Sequence, residues 1–238
     1  MVELIARGTA RQAYAVYRTG VQHPQLNGVI QLEAATPNAI TQVARQLRDV
    51  PSLWWIGPDS YTEAGRNVFH AGGRAIGKVP VMALRLSDLS RELTLPTDVT
   101  MALLDENEDL TPWVQCYSGP MGVEEKNFFN MFRAERCRSD RPGQLNRFAA
   151  RCKGEIVGTS ELFSHAGVAG IYLVSTKKTN RRRGISTALT QADCIMGFER
   201  SLKVATLQAS SSGHPVYRKM GFRDVAFYEL HSFPAILG

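Results

Sequence analysis

Asn180 to Thr187 reads NRRRGIST, three consecutive arginines set against a glycine, between the apolar run "GVAGIYLVS" at 167–175 and a long helical pattern. Arginines on a free surface need no glycine beside them. A helix opening near Arg183 leaves its first backbone N–H groups without intrahelical acceptors, and they point, with the positive end of the helix dipole, at whatever precedes the helix. Gly184 lacks a Cβ, so the backbone can approach an oxyanion closely, while Ser186 and Thr187 are small and carry hydroxyl donors. Lys177, Lys178, Arg181, Arg182 and Arg183 add attraction and further hydrogen bonds. The segment reads as a phosphate cradle where a strand meets a helix. ATP, GTP and NAD are disfavoured as its ligand, because the chain contains neither Gly-x-x-x-x-Gly-Lys-Ser/Thr nor Gly-x-Gly-x-x-Gly.

Hydrophobic spacing extends this reading in both directions. Downstream, Ile185, Ala188, Leu189, Ala192, Ile195 and Met196 fall on one helical face, followed by the strand "KVATLQA", a short helix carrying "PVYRKM" and a last strand "VAFYEL". Upstream, "QLNRFAARC", "EIVGTSELF" and "GVAGIYLVS" are three consecutive strands, preceded by a strand "VTMALL" and helical patterns in "EDLTPWVQCYSG" and "GVEEKNFFNMFRAERC". Before the linker "SDLSRELTLPTD" the pattern predicts helices over Thr9–Thr19 and Pro37–Arg48, a strand "SLWWIG", a helix over Ser60–Ala71 and a strand "VPVMALRL". The chain is therefore expected to be α/β (α+β) with a mixed sheet, divided into an N-terminal part, 1–92, and a C-terminal part, 97–238.

Composition bounds the function. With 238 residues, 44% of them hydrophobic and 21% charged, there is material for one large globular domain or two small ones. No run approaches the ~20 apolar residues of a membrane span and no signal-peptide core opens the chain, so a soluble cytoplasmic protein is expected. Cys116, Cys137, Cys152 and Cys194 are widely spaced, which implies reduced thiols and no structural metal. The formal net charge of +6 concentrates around 177–183, while Asp105, Glu106, Glu108 and Asp109 form an acidic stretch. A nucleic-acid reading of the basic cluster is held low, since no aromatics interleave it.

Arg181-x-x-Gly184-x-Ser186, directly after "AGIYLVS", resembles the Arg/Gln-x-x-Gly-x-Gly/Ala signature of the GNAT superfamily of acetyl-CoA-dependent N-acetyltransferases, and "LQASSSGHPVYRKMGF" at 207–222 resembles that family's later motif. The resemblance covers roughly 97–231 and departs at Ser186, where the family usually has Gly or Ala. It implies a mixed, mostly antiparallel central sheet flanked by helices, with acetyl-CoA as acetyl donor and a primary amine as acceptor. Backbone groups of Leu173 and Val174 would pair with the pantetheine arm, and the amides of Arg182, Arg183, Gly184, Ile185, Ser186 and Thr187 would hold the pyrophosphate, with Arg181 beside them. Ser210 stands where many relatives have a cofactor-touching asparagine.

In such a site a neutral amine attacks the thioester carbonyl and a thiolate leaves. Tyr217 is the candidate general acid, because a phenol near ~10 can hydrogen-bond to a departing thiol near ~8.5. Glu161 is the best-placed candidate base, with an ordered water or His214 as alternatives. The N-terminal part repeats part of the pattern. "WWIGPDSYTEAGRNVFHAGG" can be laid on the later motif so that Val68-Phe69 matches Val216-Tyr217 and Gly73 matches Gly221, the arrangement of a tandem GNAT with a degenerate first half. The acceptor, and whether the protein is a monomer or homodimer, are open at this level, and a non-catalytic acyl-CoA-binding module stays as the alternative.

Overall fold

The computed structural model describes residues 3–7 (backbone alone), 14–33, 36–105, 107–138 and 140–236. In chain order the first elements are β1 (Glu3–Arg7), β2 (Ala15–Arg18), β3 (Asn27–Ile30), α1 (Pro37–Gln46), β4 (Ser52–Ile56), α2 (Ala64–His70) and β5 (Arg74–Arg85). They are followed by β6 (Val99–Leu103), α3 (Thr111–Met121), α4 (Phe128–Arg136), β7 (Leu145–Cys152), β8 (Glu155–His165) and β9 (Val168–Thr176). The last are α5 (Ile185–Glu199), β10 (Val204–Gln208), α6 (His214–Lys219) and β11 (Arg223–Phe233). By packing, the chain divides into two compact units that do not follow chain order: Met1–Pro80, Val123–Arg138 and Ala226–Gly238, and Val81–Gly122 with Ser139–Val225.

In the first unit β1, β2 and β3 form an antiparallel meander, β3 runs parallel to β4, and β4 pairs antiparallel with β11 in the register Glu229–Ile56 to Phe233–Ser52. Its core joins Val16, Val29, Ile40, Val43, Leu47, Trp54 and Val68. One expectation is corrected here. Within the helix predicted over Thr9–Thr19, Ala15–Arg18 is strand, because alternation along "AVYR" puts Val16 into this core; residues 9–13 lie outside the described residues. α1 starts where Thr36 accepts a hydrogen bond from the Ala39 amide at 3.2 Å and Pro37 occupies the first turn.

The second unit repeats the same logic. β6, β7, β8 and β9 are antiparallel neighbours, β9 runs parallel to β10, and β10 pairs antiparallel with β5 from Val204–Arg85 to Gln208–Val81. Successive residues of β7 show which helix lies on which face. Arg147 lies over the Trp113 ring of α3, and Phe148 packs in a cluster with Ile185 and Leu189 of α5. The indole of Trp113 donates to the Phe148 carbonyl at 2.9 Å, which pins α3 to its face. α5 presses against β8 at Gly158, where a Cβ would stand 2.8 Å from Ile185 Cγ2 and 2.9 Å from Leu189 Cδ1. Each unit is thus a mixed, mostly antiparallel sheet with flanking helices, as expected. No helix among the described residues is long and apolar enough to cross a membrane.

Candidate active site

Two local departures from regular structure shape one region of the second unit. Pairing of β8 with β9 passes from Thr159–Ser175 to Glu161–Tyr172, so β9 carries one extra residue at Leu173–Val174. Leu173 has φ of 49°, a left-handed conformation that a leucine holds only when its surroundings enforce it. The enforcing contact is Thr159, whose hydroxyl donates to the Leu173 carbonyl at 2.8 Å. On its other edge β9 pairs with β10 only from Val168–Val204 to Gly170–Thr206. Beyond that point the two strands part, and the bulged segment of β9 is left with backbone groups free of the β10 ladder.

Next to this split, α5 opens on Gly184, which has φ of 81° and supplies no side-chain cap. Nothing lies within 4 Å of where a Cβ at Gly184 would project. Arg182, at φ of 61°, is exposed, while Arg181 Nε donates to the Thr176 carbonyl at 3.2 Å. Arg183 forms an ion pair with Asp98, and Lys177 reaches Glu155 at 3.7 Å. Asp98 also bonds with Cys152; that contact, with Arg183 adding, holds its carboxyl below the usual range. The basic run therefore has a division of labour: part of it fastens the turn to the chain, and Arg182 is exposed. Ile185 is buried, whereas Ser186 and Thr187 are partly exposed.

Tyr217, on α6, packs edge-on to Phe222 with ring centroids 5.9 Å apart. Burial pushes its phenol up to about 12; the nearby Thr190 hydroxyl works against this and Asp193 adds to it. Glu161 is not a solvated strand charge, since it is only 2% exposed. Its register partners are Arg147 on β7 and Tyr172 on β9, so it belongs to the α3 face, while Tyr217 lies by α5 on the opposite one. The opening between β9 and β10 is where groups from both faces can meet. Ser210 uses its hydroxyl to accept from the Gly213 amide at 3.1 Å, closing the turn before α6. His214 Nε2 is 2.8 Å from Asp224 Oδ1, which fixes its ring.

Some of this was invisible in the sequence. Thr159 looked like any strand threonine, and Asp98 like part of a linker. Asp193 did leave a signal, an acid inside the buried sequence "TQADC" of α5. A cleft of about 630 Å³, lined by Arg85, Arg91, Phe198, Glu199 and Lys203 among others, opens at the C-terminal end of α5. A 15-residue helix spans ~22 Å, so that cleft is remote from Gly184.

A bulged strand, a parted neighbour and a glycine-opened helix beside an arginine turn together make up the candidate site. Residues 117–229 match the family described as Acetyltransferase (GNAT) domain, which supports the GNAT resemblance read from the sequence. That family transfers an acyl group from acetyl-CoA, and the match supports an acyltransferase. Among solved structures, a GCN5-related N-acetyltransferase from Kribbella flavida shares 15% identity at TM-score 0.68, over 96% of this chain and 89% of that one. Another from Sphaerobacter thermophilus shares 24% at TM-score 0.63, over 82% of this chain and 65% of its own. A tandem GNAT protein from the clavulanic acid biosynthesis pathway shares 12% at TM-score 0.63, over 98% and 82%. None of the curated proteins matches the sequence.

Proposed function

We propose that the protein is a cytoplasmic N-acetyltransferase that moves the acetyl group of acetyl-CoA to a primary amine by direct attack in a complex of donor and acceptor. The observation that carries this reading is the uncapped, glycine-opened start of α5 set beside the bulge in β9. The amides from Arg182 to Thr187 would hold the diphosphate and Arg182 would meet it from solvent, with Arg181 and Arg183 bracing the turn. Leu173 and Val174 would pair with the pantetheine arm, and the Val174 N–H would receive the charge that develops on the thioester oxygen. Tyr217 donates to the departing sulfur and Glu161 takes the proton of the amine, directly or through water.

The half 97–238 carries these residues, and the half 1–92 is a worn copy that binds no coenzyme. α1, the helix that follows the meander in the first unit as α5 does in the second, has its start closed by the chain itself: Thr36 caps it and Pro37 has no N–H to offer. Calorimetry with acetyl-CoA, then a thiol-release panel of polyamines, aminoglycosides, amino acids and peptides, tests the proposal. Micromolar binding and release with an amine are expected; indifference to the coenzyme at millimolar levels refutes it, and binding without release to any amine favours a non-catalytic module.

A further inference from the structure

The cleft at the C-terminal end of α5 has no part in the reaction described above. Its volume of about 630 Å³ falls within the range of roughly 300–1,000 Å³ usual for small-molecule sites. Every residue that lines it belongs to the second unit. Ile195, Phe198, Leu202 and Val204 give it a half-buried apolar wall. Arg85, Arg91 and Lys203 stand around that wall, with Glu199 the one acid among the lining residues.

The backbone that carries these groups is fixed. Ser90 and Glu92, on either side of Arg91, each give a carbonyl to the side-chain amide of Gln191 on α5, at 2.6 and 2.7 Å. The Lys203 N–H donates to the Gly167 carbonyl at 2.9 Å, and the Lys203 carbonyl accepts from the Leu86 amide at 3.0 Å. Arg85 is held in β5 directly across from Val204 of β10. The cleft is therefore built into the fold.

Two observations point to a ligand. The cations, first, are unpaired. In the turn before α5, Arg183 and Lys177 meet Asp98 and Glu155. Arg85, Arg91 and Lys203 meet no carboxylate among the described residues. Nor does the helix end need them, because its last carbonyls are already taken. The amides of Arg200, Ser201 and Leu202 donate to the carbonyls of Met196, Phe198 and Gly197 at 3.1, 2.9 and 3.0 Å. The Arg91 guanidinium carbon lies 4.0 Å from the centroid of the Phe198 ring. Stacking occupies a face of the guanidinium and leaves its N–H edge for an anion. The second observation is Ser201, which lines the cleft at φ of 62°, just past the helix end, where glycine is usual. A serine there carries backbone strain that a glycine would not, and it brings a hydroxyl to the cleft.

We propose that this cleft binds an organic anion with an apolar body. Arg85, Arg91 and Lys203 hold its acidic group together with the Ser201 hydroxyl, and its body lies against Phe198 and Leu202. The cleft and Gly184 are at opposite ends of α5, so this site is separate from the proposed coenzyme cradle and does not depend on it.

Anilinonaphthalene sulfonate, an aromatic anion that brightens in apolar surroundings, tests the proposal, with uncharged N-phenylnaphthylamine as its control. Titrations with and without millimolar acetyl-CoA should both show a site of micromolar affinity in the wild type. Arg85→Gln combined with Arg91→Gln should weaken the anionic dye about tenfold, as should raised salt, and the neutral dye should bind about tenfold more weakly. Arg85→Lys with Arg91→Lys, which keeps the charge, should retain most of the binding. Glu199→Gln should tighten it. Ser201→Gly should raise Tm and weaken the dye about threefold; a higher Tm with unchanged affinity takes the hydroxyl out of the site. Equal affinity in the glutamine double variant, equal affinity for the two dyes, or competitive displacement by acetyl-CoA overturns the proposal. Displacement by micromolar polyglutamate overturns it in favour of an acidic polypeptide partner.

Discussion

Gly184 concentrates the chemistry of the site in one atom's absence. Its φ of 81° is a conformation in which a side chain is strained, yet a Cβ there would meet no protein atom within 4 Å. Gly184→Ala should therefore cost only about 1–2 kcal/mol of stability, from backbone strain, while projecting a methyl into the proposed diphosphate site. Thermal unfolding together with acetyl-CoA calorimetry should show a modest drop in Tm and at least a tenfold loss of affinity; a loss of stability alone would leave the cradle elsewhere. Asp193 gives a second prediction, with a definite sign. Its folded pKa is raised, so the unfolded chain releases this proton first, and stability falls as pH rises above ~3.9. Asp193→Asn should accordingly raise Tm at pH 7 and leave it nearly unchanged at pH 4. The buried phenols extend the argument to alkali. Burial pushes the Tyr17 and Tyr217 phenols up to about 12, against ~10 in an unfolded chain, so their contribution is intact below pH 10 and lost through pH 12. Phenolate absorbance should rise together with loss of structure across that window.

Elements were legible where their pattern was local. The period of α5, the three-strand meander and the glycine that opens α5 could all be read from neighbouring residues. The bulge could not, because it depends on Thr159 holding a carbonyl fourteen residues away. The repeat shows the same limit on a finer scale. α2 ends with Gly73 N–H bonding to the Val68 carbonyl at 3.0 Å, and α6 ends with Phe222 N–H bonding to the Tyr217 carbonyl at 3.0 Å. The left-handed residues at these ends are Gly72, at 99°, and Gly221, at 97°. Backbone geometry therefore sets Val68, not Phe69, opposite Tyr217, one position from the alignment drawn on letters. Val68 is fully buried and Phe69 is 63% exposed, so the first unit has an aliphatic core residue where the second has the Tyr217 phenol. Gly158 offers a test at this scale. A valine there would meet Ile185 and Leu189 and lift the first turns of α5 from β8. Gly158→Val is expected to destabilise by about 1–3 kcal/mol and to weaken acetyl-CoA binding, although residue 158 itself lies beneath the helix; unchanged affinity would mean that the helix start is positioned by something other than this contact.

At the scale of the molecule, chain order and packing disagree. The strand after α2 gives Val81–Arg85 to β10, and the strand after α6 gives Glu229–Phe233 to β4. Met82, Leu84 and Leu86 belong to the same core cluster as Phe222 and Cys194. A fragment of residues 97–238 lacks all three, and should show neither cooperative unfolding by circular dichroism nor acetyl-CoA binding. A folded, binding fragment would show that the second core closes without them. A sequence read in order suggests halves because its punctuation, here the stretch around Pro96, is local; which strand closes which sheet is decided by pairing across more than a hundred residues.

The same exchange has a temporal side. Among the described strands β11 is synthesised last, and until it arrives β4 lacks this partner. An unpaired strand edge is a template for wrong partners. Ribosomal delivery cannot finish one half and then begin the next, so a stop codon placed just before β11 should yield insoluble product even though every side chain proposed for catalysis has already been made.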